Sequence, residues 1–133
     1  MNYFAYASNL NREQMAGRCP EAKPRFTSTL PNYRLVFSGY SRTREGATAT
    51  IVGSKGSVVK GAIYDVPESG MLKLDKYEDV PNVYRRLNVI VWNERGERIE
   101  AVTYIKVKQE DEEKPSPKYL AVIRQGYRDW QIG

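Results

Sequence analysis

Stretches that favour β-strands recur along the chain, separated by short helical segments and polar turns. The strand-forming stretches are rich in aromatic and β-branched residues and are expected at 2–7, 25–40, 47–52, 58–66, 84–92 and 98–108. Residues 30–32 divide the second stretch, and residues 53–56 predict a hairpin between the third and the fourth.

Three short helices are predicted between these strands, at 12–18, 70–79 and 118–130. Asn11 has the character of an N-cap, with Gln14 three residues later as in a capping box. The strands mostly follow one another in hairpin order rather than alternating regularly with helices. We therefore expect one α+β domain over residues 1–133, with about six strands in an antiparallel or mixed sheet that curls towards a barrel.

The composition indicates a globular protein, with 41% hydrophobic and 28% charged residues. No apolar run approaches the roughly 20 residues that span a bilayer, and the first residues form a strand rather than a secretory signal. A single cysteine, Cys19, excludes an internal disulfide and suits a reducing compartment. We expect a cytoplasmic protein that has no membrane partner.

The net charge of +5 raises the question of a nucleic-acid partner. Basic residues are scattered along the chain and acidic residues lie among them, so no basic helix or basic and aromatic motif stands out. We expect no nucleic-acid partner. A basic nucleic-acid-binding barrel stays open as an alternative that rests on charge alone.

The chain contains no histidine. Histidine is the usual proton carrier near neutral pH and the commonest metal ligand, so its absence removes Ser-His-Asp and Cys-His catalysis and most zinc sites. No glycine-rich phosphate loop is present either. If the chain is an enzyme, a carboxylate, a tyrosine or a lysine must move its protons.

Glu78 is the candidate carboxylate. At about 100° per residue, Met71, Leu74 and Tyr77 form an apolar stripe on the predicted helix, and Glu78 falls about 40° from its centre. A carboxylate held against apolar groups has a raised pKa, which suits it to general acid/base catalysis. The alternative is a boundary glutamate paired with Arg85 or Arg86.

The turn at residues 6–10 is the second candidate. It joins a strand to a helix, and such a turn leaves backbone N–H groups that suit an oxyanion or a carboxylate. The alternative is an ordinary loop in which Ser8 and Asn9 are turn residues.

These features together resemble the γ-glutamylcyclotransferase-like (AIG2-like) family. The segments that carry the resemblance follow in family order: 3–10 (YFAYASNL), 32–37 (NYRLVF), 46–51 (GATATI), 61–66 (GAIYDV), 74–78 (LDKYE), 81–86 (PNVYRR) and 115–119 (PSPKY). Each segment is short, but the ordered set covers nearly the whole chain. Ala7 stands where the family motif has glycine, and Asp79 follows Glu78 where many members have glycine.

The resemblance implies a small closed β-barrel with helices packed around it, and an enzyme that needs no metal or cofactor. The implied reaction is attack of a γ-glutamyl α-amine on its own γ-carbonyl, which releases 5-oxoproline and an amine or amino acid. Glu78 would be the general acid/base. The residues implied to bind the substrate are Tyr6, Ala7, Ser8, Asn9, Leu10, Tyr84 and Tyr119.

The segments that carry the resemblance do not decide which amine is the leaving group. Residues 74–86 resemble the branch that acts on γ-glutamylamines, whereas residues 6–10 and 115–119 resemble the branch that acts on γ-glutamyl amino acids. A catalytically silent ligand-binding module on the same fold is the alternative to an enzyme. We expect a small-molecule partner and a monomer or weak homodimer.

Overall fold

A computed structural model describes residues 1–133 and contains five strands that close into a barrel. The elements are β1 (Asn2–Ala5), a 3₁₀ turn (Ser8–Leu10), α1 (Arg12–Arg18), β2 (Lys23–Ser41), β3 (Gly46–Asp65), α2 (Glu68–Tyr77), β4 (Tyr84–Asn93), β5 (Arg98–Lys106) and α3 (Pro117–Asp129). Around the barrel the strands run β1-β3-β2-β4-β5. The expected fold class is confirmed, with five strands rather than about six.

The count differs because residues 46–65 form one long strand. The predicted hairpin at residues 53–56 is wrong: both halves of β3 pair antiparallel with β2, from Lys23↔Asp65 to Ser41↔Gly46. Residues 54–57 form a bulge opposite Asn32, whose side chain accepts a hydrogen bond from the N–H of Gly56 at 3.1 Å. Glycine suits this position because its φ is +84°. The polar segment therefore bends a strand instead of reversing the chain.

The short strand β1 closes the barrel and is buried on both faces. It pairs antiparallel with β3 and parallel with β5 through Tyr3↔Val102. Because side chains alternate along a strand, Tyr3 and Ala5 pack with the side of the core that holds α1 and α2. Phe4 and Tyr6 pack with the side that holds α3. The residues that follow β1 are thus fixed between the barrel and its helices.

The N-cap of α1 is confirmed, but its capping box is not. The side chain of Asn11 accepts a hydrogen bond from the N–H of Gln14 at 2.9 Å. The Gln14 side chain does not return to Asn11 and instead donates to Ser8 and Asn9, at 2.9 and 3.1 Å. Gln14 therefore ties α1 to the turn after β1.

Helix α3 packs directly on that same turn. The indole N–H of Trp130 donates to the carbonyl of Leu10 at 2.9 Å. A Cβ atom at Gly126 would lie 2.6 Å from the backbone nitrogen of Asn11, so only glycine allows this approach. None of the three helices has the length and hydropathy that a membrane-spanning helix requires.

Helix α2 is anchored through Asp75. Arg86 on β4 donates to both carboxylate oxygens of Asp75, at 3.0 and 2.8 Å, and the hydroxyl of Tyr104 on β5 donates to it at 2.6 Å. Met71 and Leu74 are fully buried beneath the helix. Tyr77 is 57% exposed, so the expectation that it continues the buried stripe is wrong. The helix ends at Tyr77, and the residues after it leave the helical phase.

Candidate active site

A small inner cavity lies where the turn after β1 meets the end of α2. Its free volume is about 40 Å³. It is lined by Tyr3, Tyr6, Ala7, Ser8, Asn9, Ala49, Glu78, Tyr84, Tyr104 and Tyr119. Five of these ten residues are tyrosines, and Glu78 is the single carboxylate among them.

Glu78 is placed by the end of α2 rather than by its face. It is the C-cap residue, and its N–H donates to the carbonyl of Leu74 at 2.9 Å. Its side chain is 16% exposed and lies 3.7 Å from Arg18. The proposed pairing with Arg85 or Arg86 is wrong, because Arg86 binds Asp75 and Glu68. The helical phase nevertheless indicated the correct side of the helix.

Burial raises the pKa of the Glu78 carboxyl, because a charged carboxylate loses its hydration in this cavity. Arg18, Arg44 and the Asn9 amide act in the opposite direction and favour the ionised form. The net effect is a raised pKa. Such a carboxyl exchanges a proton closer to neutral pH than an exposed glutamate does.

The turn after β1 lines the inner cavity together with Glu78. The N–H groups of Ala7, Ser8 and Asn9 donate none of the backbone hydrogen bonds that lie outside the helices and strands. The Asn9 side chain is held by Gln14 and Arg18 on its oxygen, and its amide nitrogen donates to the hydroxyl of Tyr3 at 2.9 Å. The turn is therefore rigid, and its N–H groups suit an oxygen with negative charge.

The two positions where the family motif has glycine differ in conformation. Ala7 has a φ of −137° and a ψ of −120°, so it does not use the left-handed backbone region that favours glycine. Asp79 has a φ of +50°, in the left-handed region that glycine occupies most easily. Asp79 is exposed and its side chain accepts a hydrogen bond from Asn82 at 3.1 Å, so it faces away from the inner cavity.

Two tyrosines bind the backbone of Ala49 across the cavity. The hydroxyl of Tyr119 accepts from the Ala49 N–H at 3.0 Å, and the hydroxyl of Tyr84 donates to the Ala49 carbonyl at 2.5 Å. Tyr6 donates to the carbonyl of Tyr104 at 2.7 Å. Burial raises the pKa of Tyr6, Tyr84 and Tyr119, so these hydroxyls stay protonated as neutral walls.

A larger outer chamber of about 690 Å³ adjoins the inner cavity. The two spaces share Ser8, Glu78, Tyr84 and Tyr119 as lining residues. The cationic side chains that line the chamber are Arg18, Arg44, Lys76, Lys106 and Lys108. The acidic side chains that line the chamber are Glu78, Asp79 and Glu110. Glu78 thus lies between the inner cavity and a larger chamber whose lining cations outnumber its carboxylates.

The structure brings seven of the eight expected site residues to the inner cavity. They are Glu78, Tyr6, Ala7, Ser8, Asn9, Tyr84 and Tyr119. Leu10 lies outside it and is fully buried in the core. The N–H of Leu10 donates to the carbonyl of Ala7 at 3.1 Å, so Leu10 holds the turn from behind.

Sequence reasoning missed Arg18, Arg44 and Gln14 as part of the site. They form one chain of contacts: Gln14 accepts from Arg44 at 2.8 Å and donates to the turn, and Arg18 donates to Asn9 at 3.2 Å. The helical spacing of Gln14 and Arg18 was the available signal, since residues four apart share one face. Arg44 lies in the loop between β2 and β3, where no sequence pattern indicated that it belongs to the site.

No group of three or more cysteine, aspartate or glutamate side chains comes together in a way that could hold a metal ion. The carboxylates of the site region, Glu78 and Asp79, point in different directions. The chemistry that the arrangement offers is proton transfer at Glu78 beside backbone N–H donors.

Comparison with known proteins matches this architecture to one family. The model of the family described as "Gamma-glutamyl cyclotransferase, AIG2-like" matches residues 3–130. A γ-glutamylcyclotransferase from Bos taurus is 33% identical over 132 residues, which cover 96% of this chain and 70% of that protein. The Homo sapiens protein of the same name is 32% identical with the same coverage.

Solved structures give the same result for the fold. A structure described as a γ-glutamyl cyclotransferase superposes with a TM-score of 0.94 at 29% identity, over 99% of this chain and 80% of the other. An AIG2-like protein from Mus musculus, with a TM-score of 0.65 at 23% identity over 90% of this chain and 81% of that one, shares the fold.

The chain belongs to the γ-glutamyl cyclotransferase, AIG2-like family. The family, the fold and the cyclotransferase class of function expected from the sequence are therefore confirmed.

Proposed function

We propose that this chain converts a γ-glutamyl compound into 5-oxoproline and a free amine, with Glu78 as the group that carries the protons. The observation that supports this role most directly is the position of Glu78, the single carboxylate of the inner cavity, beside the N–H groups of the turn after β1. The γ-carbonyl of the substrate reaches the inner cavity beside Glu78, and the leaving group extends into the outer chamber.

The first step is the loss of a proton from the substrate's α-ammonium group to the Glu78 carboxylate. The freed nitrogen lone pair attacks the γ-carbonyl carbon, and the new C–N bond closes a five-membered ring. Both reacting groups belong to one molecule, so the enzyme's task is to hold them in the reactive conformation. The tyrosine walls of the cavity restrict that conformation.

The second requirement is stabilisation of the oxyanion that forms on the γ-carbonyl oxygen. The N–H groups of Ala7, Ser8 and Asn9 are the proposed donors. They are fixed by Gln14, Arg18 and the packing of α3 on the turn, so they need not reorganise when charge develops.

The last step breaks the bond to the leaving nitrogen. Protonated Glu78 returns its proton to that nitrogen, which departs as an amine while the γ-carbonyl re-forms in the lactam. The ring nitrogen still holds a second proton of the former ammonium group, which it gives to the ionised Glu78 carboxylate, and Glu78 passes this proton to the departing amine, which is released as an ammonium group. Protons balance over the cycle, and neither water nor an oxidant is consumed. The raised pKa of Glu78 suits both halves of this transfer.

The proposal is tested by incubating the protein with γ-glutamyl dipeptides and with γ-glutamyl-ε-lysine, and by measuring 5-oxoproline. Turnover of at least one of them supports the enzyme. Saturable binding of a γ-glutamyl compound without product would favour the silent ligand-binding module. Steeply salt-dependent retention on nucleic acid would favour the basic barrel. The cytoplasmic location and the monomer or weak homodimer stay predictions.

A further inference from the structure

The outer chamber holds two half-buried cations that have no carboxylate partner. No carboxylate oxygen lies within 4.0 Å of the Arg44 guanidinium or the Lys106 ammonium. Each side chain is only partly exposed, whereas Lys76 and Lys108 in the same chamber are exposed. A partly desolvated cation without a counterion is unfavourable by itself and attracts an anionic ligand.

Arg44 is held in place by the site itself. Its Nη2 atom donates to the Oε1 atom of Gln14 at 2.8 Å, and its guanidinium lies 5.0 Å from the ring centroid of Tyr119. Its backbone is fixed as well, since its carbonyl accepts from the Ser116 hydroxyl at 2.6 Å. One hydrogen bond to a neutral amide leaves most of its five N–H donors for a ligand.

Lys106 lies near the ring of Tyr84, one of the two tyrosines that bind the backbone of Ala49. Its Nζ atom is 5.9 Å from the ring centroid of Tyr84 and donates to the carbonyl of Ser38 at 2.6 Å. Glu110 lines the same chamber, and its charge acts on Lys106 although its carboxylate oxygens lie more than 4.0 Å from the ammonium. Arg44 and Lys106 therefore stand over Tyr119 and Tyr84, the two tyrosines shared by the inner cavity and the outer chamber.

We infer that Arg44, assisted by Lys106, determines specificity by binding a carboxylate on the leaving group, so that the departing amine is an α-amino acid. The inference rests on the proposed function, because it assigns the outer chamber to the leaving group. An α-carboxylate is two bonds from the nitrogen that Glu78 protonates, which places it at the mouth of the inner cavity. The planar guanidinium binds a carboxylate through two charge-assisted hydrogen bonds, whereas a neutral leaving group offers it no charged acceptor.

The test compares γ-glutamyl-alanine with γ-glutamyl-alaninamide, which differ only in the charge of the leaving group. We expect kcat/KM to be at least about tenfold higher for the carboxylate substrate, which corresponds to one charge-assisted interaction. In Arg44→Gln this ratio should fall towards one, and Lys106→Gln should lower it less. Lys108→Gln removes an exposed charge from the same chamber and should leave the ratio unchanged.

Three results would overturn the inference. The first is a wild-type ratio near one. The second is an Arg44→Gln variant that loses the same factor with both substrates, since Arg44 would then bind the γ-glutamyl half. The third is a Lys108→Gln variant that lowers the ratio as much as Arg44→Gln does. The summed positive charge of the chamber, rather than a specific contact with Arg44, would then explain the preference for the carboxylate substrate.

A binding measurement separates this inference from the proposed function. In a Glu78→Gln background, calorimetry compares the affinities of the same two compounds with and without Arg44→Gln. A preference for the carboxylate compound that disappears with Arg44 supports the subsite even if wild-type protein turns over neither compound. Equal affinities contradict the subsite even if turnover is observed.

Discussion

The Nη1 atom of Arg18 lies 3.7 Å from the Oε1 atom of Glu78, and it also donates to the side chain of Asn9. One guanidinium thus contacts both the proposed proton carrier and the turn beside it. Burial raises the pKa of Glu78, and Arg18 is the largest opposing influence. Burial and this ion pair therefore act in opposite directions on the pH at which Glu78 begins to act as a base.

Replacing Arg18 with glutamine should raise the pKa of Glu78 further. The carboxylate would then form at a higher pH, so the acidic limb of the kcat/KM profile should move to higher pH. Arg18→Lys keeps the positive charge and should move the limb less. A limb that stays in place in Arg18→Gln would show that Glu78 does not govern it.

The turn after β1 depends on a close contact with α3. Gly126→Ala would place a methyl group 2.6 Å from the Asn11 nitrogen, so the helix or the turn must shift. We expect a loss of roughly 1–3 kcal/mol in the free energy of unfolding. The rate of 5-oxoproline formation should fall as well, because the displaced turn carries the proposed oxyanion donors.

Gly17→Ala is the matched control for that variant. Nothing lies within 4 Å of a Cβ atom at Gly17, which is on the exposed side of α1. Alanine should there stabilise the protein by about 0.5–1 kcal/mol, as expected for a helix position. Equal stability of the Gly126→Ala variant and wild type in urea unfolding would contradict the packing described for α3.

The two tyrosines that bind Ala49 should differ in their effect on stability. Tyr119→Phe leaves the buried N–H of Ala49 without an acceptor, at a cost of about 1–3 kcal/mol. Tyr84→Phe leaves a carbonyl without its donor, which is tolerated better, so we expect about 1 kcal/mol. Tyr40→Phe, at a side chain that is 72% exposed, should change the stability by less than about 0.5 kcal/mol. Thermal or urea unfolding measures all three, and a reversed order of the first two would contradict this account of the site.

The sequence predicted the elements well where a segment has one clear periodicity. The bounds of α1 and α3 and the start of β4 and β5 agree within about one residue, as local capping and alternation permit. The bulge at residues 54–57 was mistaken for a hairpin because Gly, Ser and Lys have the composition of a turn. Whether such a segment reverses the chain depends on which strand lies beside it, and that is a tertiary property.

In the site, too, the sequence indicated the residues that have a local pattern and missed those that depend on tertiary contacts. The sequence singled out Glu78 and the turn at residues 6–10 because each has a local signature, a helical phase or a strand-to-helix junction, and the structure brings all of them except Leu10 to one cavity. Arg44 was missed because it reaches the site across a gap of 30 residues from Gln14. The predicted buried stripe wrongly included Tyr77. Helix α2 ends at Tyr77, and Glu78 lines the cavity as the C-cap residue of that helix.

The raised pKa of Glu78 also has a consequence for stability. A carboxyl whose folded pKa lies above its unfolded pKa favours folding at low pH, and that advantage is lost as pH rises through the folded value. Glu78→Gln should therefore be more stable than wild type at neutral pH, and the difference should shrink below about pH 4, near the pKa of an unfolded glutamate. Thermal unfolding across this range measures the difference, and a variant that is less stable than wild type at pH 7 would contradict an unfavourable burial of the ionised carboxylate.

If Glu78 carries the protons of the cyclotransferase reaction, the Glu78→Gln variant should release 5-oxoproline far more slowly than wild type. The variant keeps the shape of the side chain and removes its titrating group, so kcat/KM should fall by at least about 10²-fold. Asp79→Asn is the matched control, because asparagine tolerates the φ of +50° and the residue is exposed. It should keep near wild-type activity. A Glu78→Gln variant that releases 5-oxoproline at the wild-type rate would contradict the account.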